Sequence, residues 1–153
     1  MKEIEYKILD LEDLELLVKL RIKDLKMFSN QEITNSTIEN IRCFYKGKML
    51  KDECHTLVGY HLNHIISTAT IYYYDILPSN ENPKGKVGQI TNVWVDENYR
   101  HLGIGRYMVK YLIEHYQKDV GMICLNSSKE GMNMYFHLGF EKKDNYLIYK
   151  NKL

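Results

Sequence analysis

Arg100-His101-Leu102-Gly103-Ile104-Gly105-Arg106 is a short stretch between a predicted strand and the most regular predicted helix of the chain. Because glycine has no Cβ, Gly103 and Gly105 allow consecutive backbone N–H groups to point inward as an anion-binding nest. The helix that starts here adds the positive end of its dipole to the same place. Arg100 and Arg106 can add charge at its edge. The stretch therefore predicts a site for a pyrophosphate group.

Two familiar phosphate-binding loops do not fit this stretch. A Walker loop requires Gly-Lys-Ser/Thr at the start of its helix, whereas Gly105 is followed by Arg106-Tyr107. A Rossmann loop would need a third small residue at Met108 and should follow the first strand of a βαβ unit. A glycine-rich turn that only joins the strand to the helix remains the simpler alternative.

The elements around the stretch predict two parallel neighbouring strands. Residues 87–95 are predicted as a strand, and residues 122–125 as a second, short apolar strand. Between them, residues 103–116 carry one apolar stripe of the width expected for a helix that packs on a sheet. Since a helix crosses from one strand to the other, the two strands should lie parallel and side by side.

The first half of the chain predicts one strand, two helices and a hairpin. Residues 4–9 alternate apolar and polar side chains. Asp10 can cap a first helix with Asp13 at its third position, and a second helix is predicted from about residues 34–37 to about residue 51. Two strands follow at residues 55–62 and 65–76, with Asn63-His64 as their turn.

The remaining segments predict a long loop, a last helix and a last strand. The proline- and glycine-rich residues 78–85 indicate a long loop within one domain. A helix at residues 129–138 should end at Gly139, and a strand at residues 146–149 should close the sheet. The order βαα-βββ-αβ-αβ predicts a single α+β domain over residues 1–153.

Charge balance argues against a nucleic-acid partner. The chain has 21 Lys and Arg against 20 Asp and Glu, a formal net charge of +1, whereas duplex-binding domains usually carry a basic excess. Tyr72-Tyr73-Tyr74 could stack on single-stranded nucleic acid. Tyrosines that pack on both faces of a strand are the favoured interpretation.

The sequence also lacks metal-site, membrane and secretion patterns. The three cysteines are widely spaced, and no CxxC or HExxH motif occurs, so we expect no metal site. No run of about 18 apolar residues is present. The first five residues mix charges and lack the apolar core of a signal peptide. We therefore expect a cytoplasmic protein without a membrane partner.

Two motifs carry a family resemblance. Arg100 to Gly105 resembles the Arg/Gln-x-x-Gly-x-Gly/Ala motif of the GNAT acetyltransferases. Tyr135-Phe136-His137-Leu138-Gly139-Phe140 is similar to the Tyr-x-x-x-Gly-Phe that opens the last strands of that family. Between them, residues 123–131 resemble the family's fifth strand and its exit loop. The resemblance covers residues 50–150, while residues 1–50 match only in the order of elements.

The resemblance implies the GNAT fold, a mixed, mostly antiparallel sheet with splayed central strands and flanking helices. Acetyl-CoA, as co-substrate, would lie in the gap between the fourth and fifth strands. Backbone groups of Val93 and Val95 would pair with its pantetheine arm, and the Val93 N–H would polarise the thioester carbonyl. The implied cofactor-binding residues are Val93, Val95, Arg100, His101, Leu102, Gly103, Ile104, Gly105, Arg106, Asn126 and Ser128.

The implied reaction is direct attack of a primary amine on acetyl-CoA. The amine, with a reference pKa of roughly 10.4, must lose a proton, and the departing thiolate is helped by a proton donor. By analogy with the family, that donor is Tyr135, because a phenol stays protonated at neutral pH.

The acceptor side is less defined by the sequence. His61, Asp75 and Glu32 are candidate bases, with a water chain as the alternative. The first two helices, with Met27, Phe28 and Glu32, should form the acceptor wall. A small-molecule or peptide amine fits equally, and a homodimer is left open. A non-catalytic GNAT-fold module that binds CoA as a sensor or scaffold is the alternative function.

Overall fold

Residues 3–153, the part of the chain that this computed structural model describes, form one open sheet of five strands with four α-helices on its faces. Met1 and Lys2, which begin the segment that argues against a signal peptide, lie outside the described residues. The strands are β1 (Glu5–Ile8), β2 (Cys54–His61), β3 (His64–Asp75), β4 (Lys86–Val95) and β5 (Met122–Leu125). The helices are α1 (Leu14–Phe28), α2 (Asn35–Leu50), α3 (Ile104–Tyr116) and α4 (Met132–His137).

The order of strands in the sheet follows the order of the chain. Neighbours from β1 to β4 are antiparallel, and β4 and β5 are parallel, as the crossover helix predicted. The parallel pairing runs from Val87 with Met122 to Ile90 with Leu125 and then stops, although β4 continues to Val95. The mixed, mostly antiparallel sheet with flanking helices is therefore confirmed.

Capping side chains determine where the first two helices begin. Asp10 and Asp13 form the predicted capping box, which closes a 3-10 turn at Leu11–Asp13 before α1. The Thr34 hydroxyl caps α2 by accepting a hydrogen bond from the Thr37 N–H at 3.1 Å. Such acceptors satisfy N–H groups that have no partner within the helix. No helix within residues 3–153 combines the length and apolar character that a membrane span requires.

The hairpin between β2 and β3 turns one residue earlier than predicted. Its central residues are Leu62 and Asn63, with φ angles of 50° and 64°, and not Asn63-His64. Two consecutive positive φ angles match the right-handed twist of a tight hairpin. His64 pairs directly with His61 and so belongs to the strand.

Apolar side chains cover both faces of the sheet. On one face, Met108 and Leu112 of α3 are fully buried and pack in one cluster with Ile71 of the sheet. On the other face, Leu17 of α1 packs in a second cluster with Val58. The central strands are therefore buried on both sides, with α3 and α1 on opposite faces.

The last predicted strand is not formed, and the prediction at residues 146–149 was wrong. Residues 138–153 contain no helix or strand, and the side chains of residues 146–149 are exposed, from 68% at Ile148 to 92% at Tyr149. Aromatic and β-branched residues favour strands, but a strand also needs a neighbour to pair with. The last helix is also shorter than predicted, since α4 begins at Met132, while Gly139 follows its end with a φ of 99°.

We expect Leu112→Ala to lower the free energy of unfolding by about 2–5 kcal/mol, because it leaves a cavity between α3 and the sheet. The matched control, Leu147→Ala, truncates a side chain that is 90% exposed. It should change stability by less than about 0.5 kcal/mol. Urea unfolding followed by Trp94 fluorescence measures both. Equal losses in the two variants would contradict the packing of α3.

Candidate active site

Left-handed backbone at alternate residues shapes the loop before α3. His101 has a φ of 64°, and Gly103, the N-cap of α3, has a φ of 80°. Alternating signs of φ turn successive N–H groups toward one side, and the first N–H groups of α3 have no partner within the helix. Ile104 anchors the loop in the core. The exposed side chains of the loop are Arg100, His101, Leu102 and Arg106.

The end of β4 lies beside this loop and is not paired with β5. Val93 and Val95 pack in the core cluster of the α3 face. Arg100 Nε donates a hydrogen bond to the Val95 carbonyl oxygen at 3.2 Å, which fastens the loop to the strand. A Cβ at Gly105 would lie 3.6 Å from both Val95 Cγ2 and Met134 Sδ. The loop, the end of β4 and α4 therefore meet around one gap.

Tyr135 lies on α4 directly after Met134, the residue that approaches the loop. The tyrosine is 8% exposed, and its ring packs edge to face on the Phe140 ring, with 5.6 Å between the two ring centroids. Tyr135 belongs to the same core cluster as Val93 and Val95. Burial raises the pKa of the Tyr135 phenol above its ordinary value, so the hydroxyl stays protonated at neutral pH.

Asn126 and Ser128 lie in the loop between β5 and α4, and both are exposed. Asn126 follows Leu125, whose pairing with Ile90 is the last of the parallel ladder. Asn126 therefore stands where the two strands part. Ser128 Oγ accepts a hydrogen bond from the Gly131 N–H at 3.2 Å, which orders the approach to α4.

The three candidate bases are scattered over the molecule. His61 Nδ1 lies 2.6 Å from the Tyr99 hydroxyl near the β2–β3 hairpin. Asp75 stands opposite Lys86, at the far end of β3 and β4. Glu32 is exposed in the connection between α1 and α2. The structure therefore does not bring these carboxylates and the imidazole together at the strand gap.

A polar network at a bulge of β4 was not predicted from the sequence. The pairing of β3 with β4 shifts register between Thr68 and Thr70, and Asn92 at this point is left-handed, with a φ of 53°. Asn92 Oδ1 accepts a hydrogen bond from Arg21 Nη1 at 2.6 Å, and its Nδ2 donates to the Tyr45 hydroxyl at 3.1 Å. The Thr68 hydroxyl donates to the Asn92 carbonyl oxygen at 2.8 Å. The network ties β4 to β3, α1 and α2.

Asp24 of α1 lies beside this network. Its Oδ2 is 3.4 Å from Arg21 Nη1, and its side chain is 14% exposed. Burial raises the pKa of the Asp24 carboxyl above its ordinary value, and the charge of Arg21 opposes this shift. Lys23 Nζ lies 3.9 Å above the Trp94 ring. Lys23, Asp24 and Trp94 line a small cavity of about 10 Å³, together with Leu20, Met27 and Thr68.

The helical period could have indicated Arg21 and Asp24. Both continue the buried stripe of α1 beyond Leu17 at helical spacing. A charged side chain at such a position needs a partner, which is a signal of function or of a structural ion pair. Of the predicted acceptor wall, Met27 lines the cavity, whereas Phe28 is 76% exposed.

Known proteins share this sequence pattern and this fold. The sequence model described as "Acetyltransferase (GNAT) family" matches residues 19–140. A search of the curated proteins found no significant match. A predicted acetyltransferase from Clostridium acetobutylicum, solved with acetyl-CoA, is 28% identical, with a TM-score of 0.85 over 97% of this chain and 96% of that chain.

Two further solved structures share the fold at lower identity. A GCN5-related N-acetyltransferase from Ralstonia eutropha JMP134 is 18% identical, with a TM-score of 0.80 over 97% of this chain and 99% of that chain. A glucosamine-6-phosphate N-acetyltransferase from Arabidopsis thaliana is 20% identical, with a TM-score of 0.69 over 97% and 99% of the two chains.

The two loop glycines should respond in opposite directions to alanine. Gly103→Ala should destabilise the protein by roughly 1–2 kcal/mol, because its φ of 80° strains any residue with a Cβ although the space is open. Gly105→Ala meets no close contact at the start of a helix and should stabilise by up to about 1 kcal/mol. Urea unfolding gives both signs. A Gly103→Ala protein as stable as Gly105→Ala would contradict the loop geometry.

Proposed function

The chain belongs to the GNAT acetyltransferase family, and from this premise we propose that it transfers the acetyl group of acetyl-CoA to a primary amine by direct attack. The observation that carries the proposal is the parting of β4 from β5 after Ile90, beside the glycine loop and Tyr135. A strand edge without a partner, a nest of N–H groups and a buried phenol then surround one gap.

The free edge of β4 and the loop are suited to the two halves of the co-substrate. Backbone groups of Val93 and Val95 would pair with the pantetheine arm, in the way that an added strand pairs with a sheet edge. The N–H groups of residues 101–106 would hold the pyrophosphate at the start of α3. Asn126 and Ser128 would contact the cofactor where β5 ends.

Three groups would then act on the thioester. The Val93 N–H would stabilise the negative charge that develops on the carbonyl oxygen. The amine attacks the carbonyl carbon, and the carbon–sulfur bond breaks. The Tyr135 hydroxyl would protonate the departing sulfur, and its burial keeps it in the protonated form that can donate.

Release of free CoA thiol tests the proposal directly. The protein, acetyl-CoA and a panel of primary amines are incubated together, and the thiol is titrated with time. Amine-dependent release supports N-acetyl transfer. Binding of acetyl-CoA without release from any amine would instead indicate a CoA-binding sensor or scaffold.

Gly105→Glu should weaken acetyl-CoA binding by at least about 100-fold, because the new side chain points toward Val95 and Met134 and places a negative charge beside the pyrophosphate. Calorimetry with acetyl-CoA measures the Kd. Gly105→Ala is the matched control for the fold, since it adds a single methyl group where there is room. An unchanged Kd in the glutamate variant would place the cofactor elsewhere.

Tyr135→Phe should lower kcat by roughly 10²–10⁴-fold when chemistry limits the rate, because it removes the proton donor and keeps the ring. The Kd for acetyl-CoA should change much less, since one hydrogen bond contributes only about 0.5–1.5 kcal/mol. Tyr149→Phe, at a residue that is 92% exposed, is the control and should keep the wild-type kcat. A kcat within a few-fold of wild type would remove Tyr135 from the acid role.

A further inference from the structure

The bulge of β4 takes one peptide group out of the regular ladder. The pairing of β3 with β4 shifts at this point, so that Asn92 and Val93 together stand opposite the single residue Ala69. Two residues against one is the arrangement of a β-bulge, which disrupts the ladder locally. The peptide group between Asn92 and Val93 lies inside the bulge and carries the Val93 N–H. Contacts from outside the ladder must therefore fix its orientation.

The hydroxyl of Thr68 on β3 holds the carbonyl end of this peptide group. Thr68 Oγ1 donates a hydrogen bond to the Asn92 carbonyl oxygen at 2.8 Å, and both residues are buried. Because a trans peptide is planar, its carbonyl and its N–H point in opposite directions. The Val93 N–H therefore points away from Thr68, toward the side of β4 where pairing with β5 ends at Ile90.

The side chain of Asn92 fixes the same peptide group from the two helices. Its Oδ1 accepts a hydrogen bond from Arg21 Nη1 at 2.6 Å, and its Nδ2 donates to the Tyr45 hydroxyl at 3.1 Å. These bonds hold the left-handed backbone of Asn92, with its φ of 53°, a conformation that asparagine adopts more readily than most residues. The peptide group is thus anchored to β3, α1 and α2.

We propose that Thr68 is a positioning residue for acetyl transfer, whose hydroxyl aims the Val93 N–H at the thioester oxygen. The inference rests on the proposed function and assigns the group that orients its oxyanion donor. As the amine attacks, negative charge develops on that oxygen, and a donor already held in place stabilises it without reorganisation. Thr68 acts only through the peptide group between Asn92 and Val93.

Thr70 provides a matched control on the same strand. Its hydroxyl lies 2.7 Å from the Thr56 hydroxyl, and Thr70 is as well buried as Thr68. The two threonines therefore contribute similar hydrogen bonds to stability, but the bond of Thr70 joins β3 to β2 and does not involve the bulge. Removal of either hydroxyl should destabilise the protein, whereas only removal of the Thr68 hydroxyl should slow acetyl transfer.

Thr68→Val tests the proposal, because it keeps the shape of the side chain and removes the donor. The transfer rate is measured as thiol release in a single turnover, with the protein in excess over acetyl-CoA. It should fall by at least about 10-fold, and by no more than the roughly 10²–10³-fold that loss of an oxyanion donor costs. The Kd for CoA, which has no acetyl carbonyl, should stay close to the wild-type value in calorimetry.

Valine is a sharper replacement than alanine at this position. The cavity beside Thr68 has a volume of about 10 Å³, and truncation to alanine would enlarge it. A water molecule in the enlarged cavity could then donate to the Asn92 carbonyl in place of the hydroxyl. Valine fills the same space and excludes that replacement.

Two further variants separate positioning from stability. Thr70→Val should keep the wild-type transfer rate, and Thr68→Ser, which retains the hydroxyl, should restore most of the rate lost in Thr68→Val. The urea midpoints of Thr68→Val and Thr70→Val should fall by similar amounts, because each variant leaves one buried polar partner without its hydrogen bond.

The pH profile separates positioning from proton transfer. A threonine hydroxyl does not titrate between about pH 6 and about pH 9, so Thr68→Val should lower the transfer rate by the same factor across this range. A profile that changes shape in Thr68→Val would place Thr68 in the proton transfer and overturn the positioning role.

Each outcome decides between the two proposals. Thiol release from the wild type, with equal transfer rates in Thr68→Val and Thr70→Val, overturns the role of Thr68 alone. No release from the wild type with any amine overturns the proposed function and this inference together. If Thr68→Val does not fold, Thr68→Cys decides, because a thiol is a weak donor. Its rate should lie well below that of Thr68→Ser, and equal rates overturn the inference.

Discussion

The parting of β4 from β5 is the constraint on which the rest of the structure depends. Backbone N–H and carbonyl groups inside a protein need partners, so neighbouring strands normally stay paired along their length. Here β5 ends at Leu125, and the bulge at Asn92 turns β4 aside. Hydrogen bonds from Arg21 and Thr68, and one to Tyr45, hold the bulge open. The gap is thus built into the fold.

The two faces of the sheet near the end of β4 carry different groups of side chains. The α3 face carries the glycine loop, the apolar side chains of β4 and Tyr135, all of which concern the cofactor and the leaving thiolate. The α1 face carries Asp24 and Trp94, which line the small cavity between α1 and β4.

Local physics explains why the loop could be predicted and the last strand could not. The glycine turn before α3, the Asp10–Asp13 capping box and the apolar stripe of α3 depend on residues close in sequence, and each was found where expected. The strand predicted at residues 146–149 had the right composition, but a strand depends on a neighbouring strand. The exposed side chains of Leu147 and Tyr149 show that composition alone did not provide one.

The sequence by itself determined the fold class, the family resemblance and the position of the glycine loop, because these follow from short motifs and from the spacing of apolar residues. Only the tertiary structure brought Arg21, Asp24 and Asn92 together, since Arg21 and Asn92 are 71 positions apart. Asparagine tolerates a positive φ, but this preference alone does not mark Asn92 as the bulge, and the contact needs α1 packed across the bulge of β4. Side chains from distant segments become neighbours only when burial of the apolar faces fixes how those segments pack.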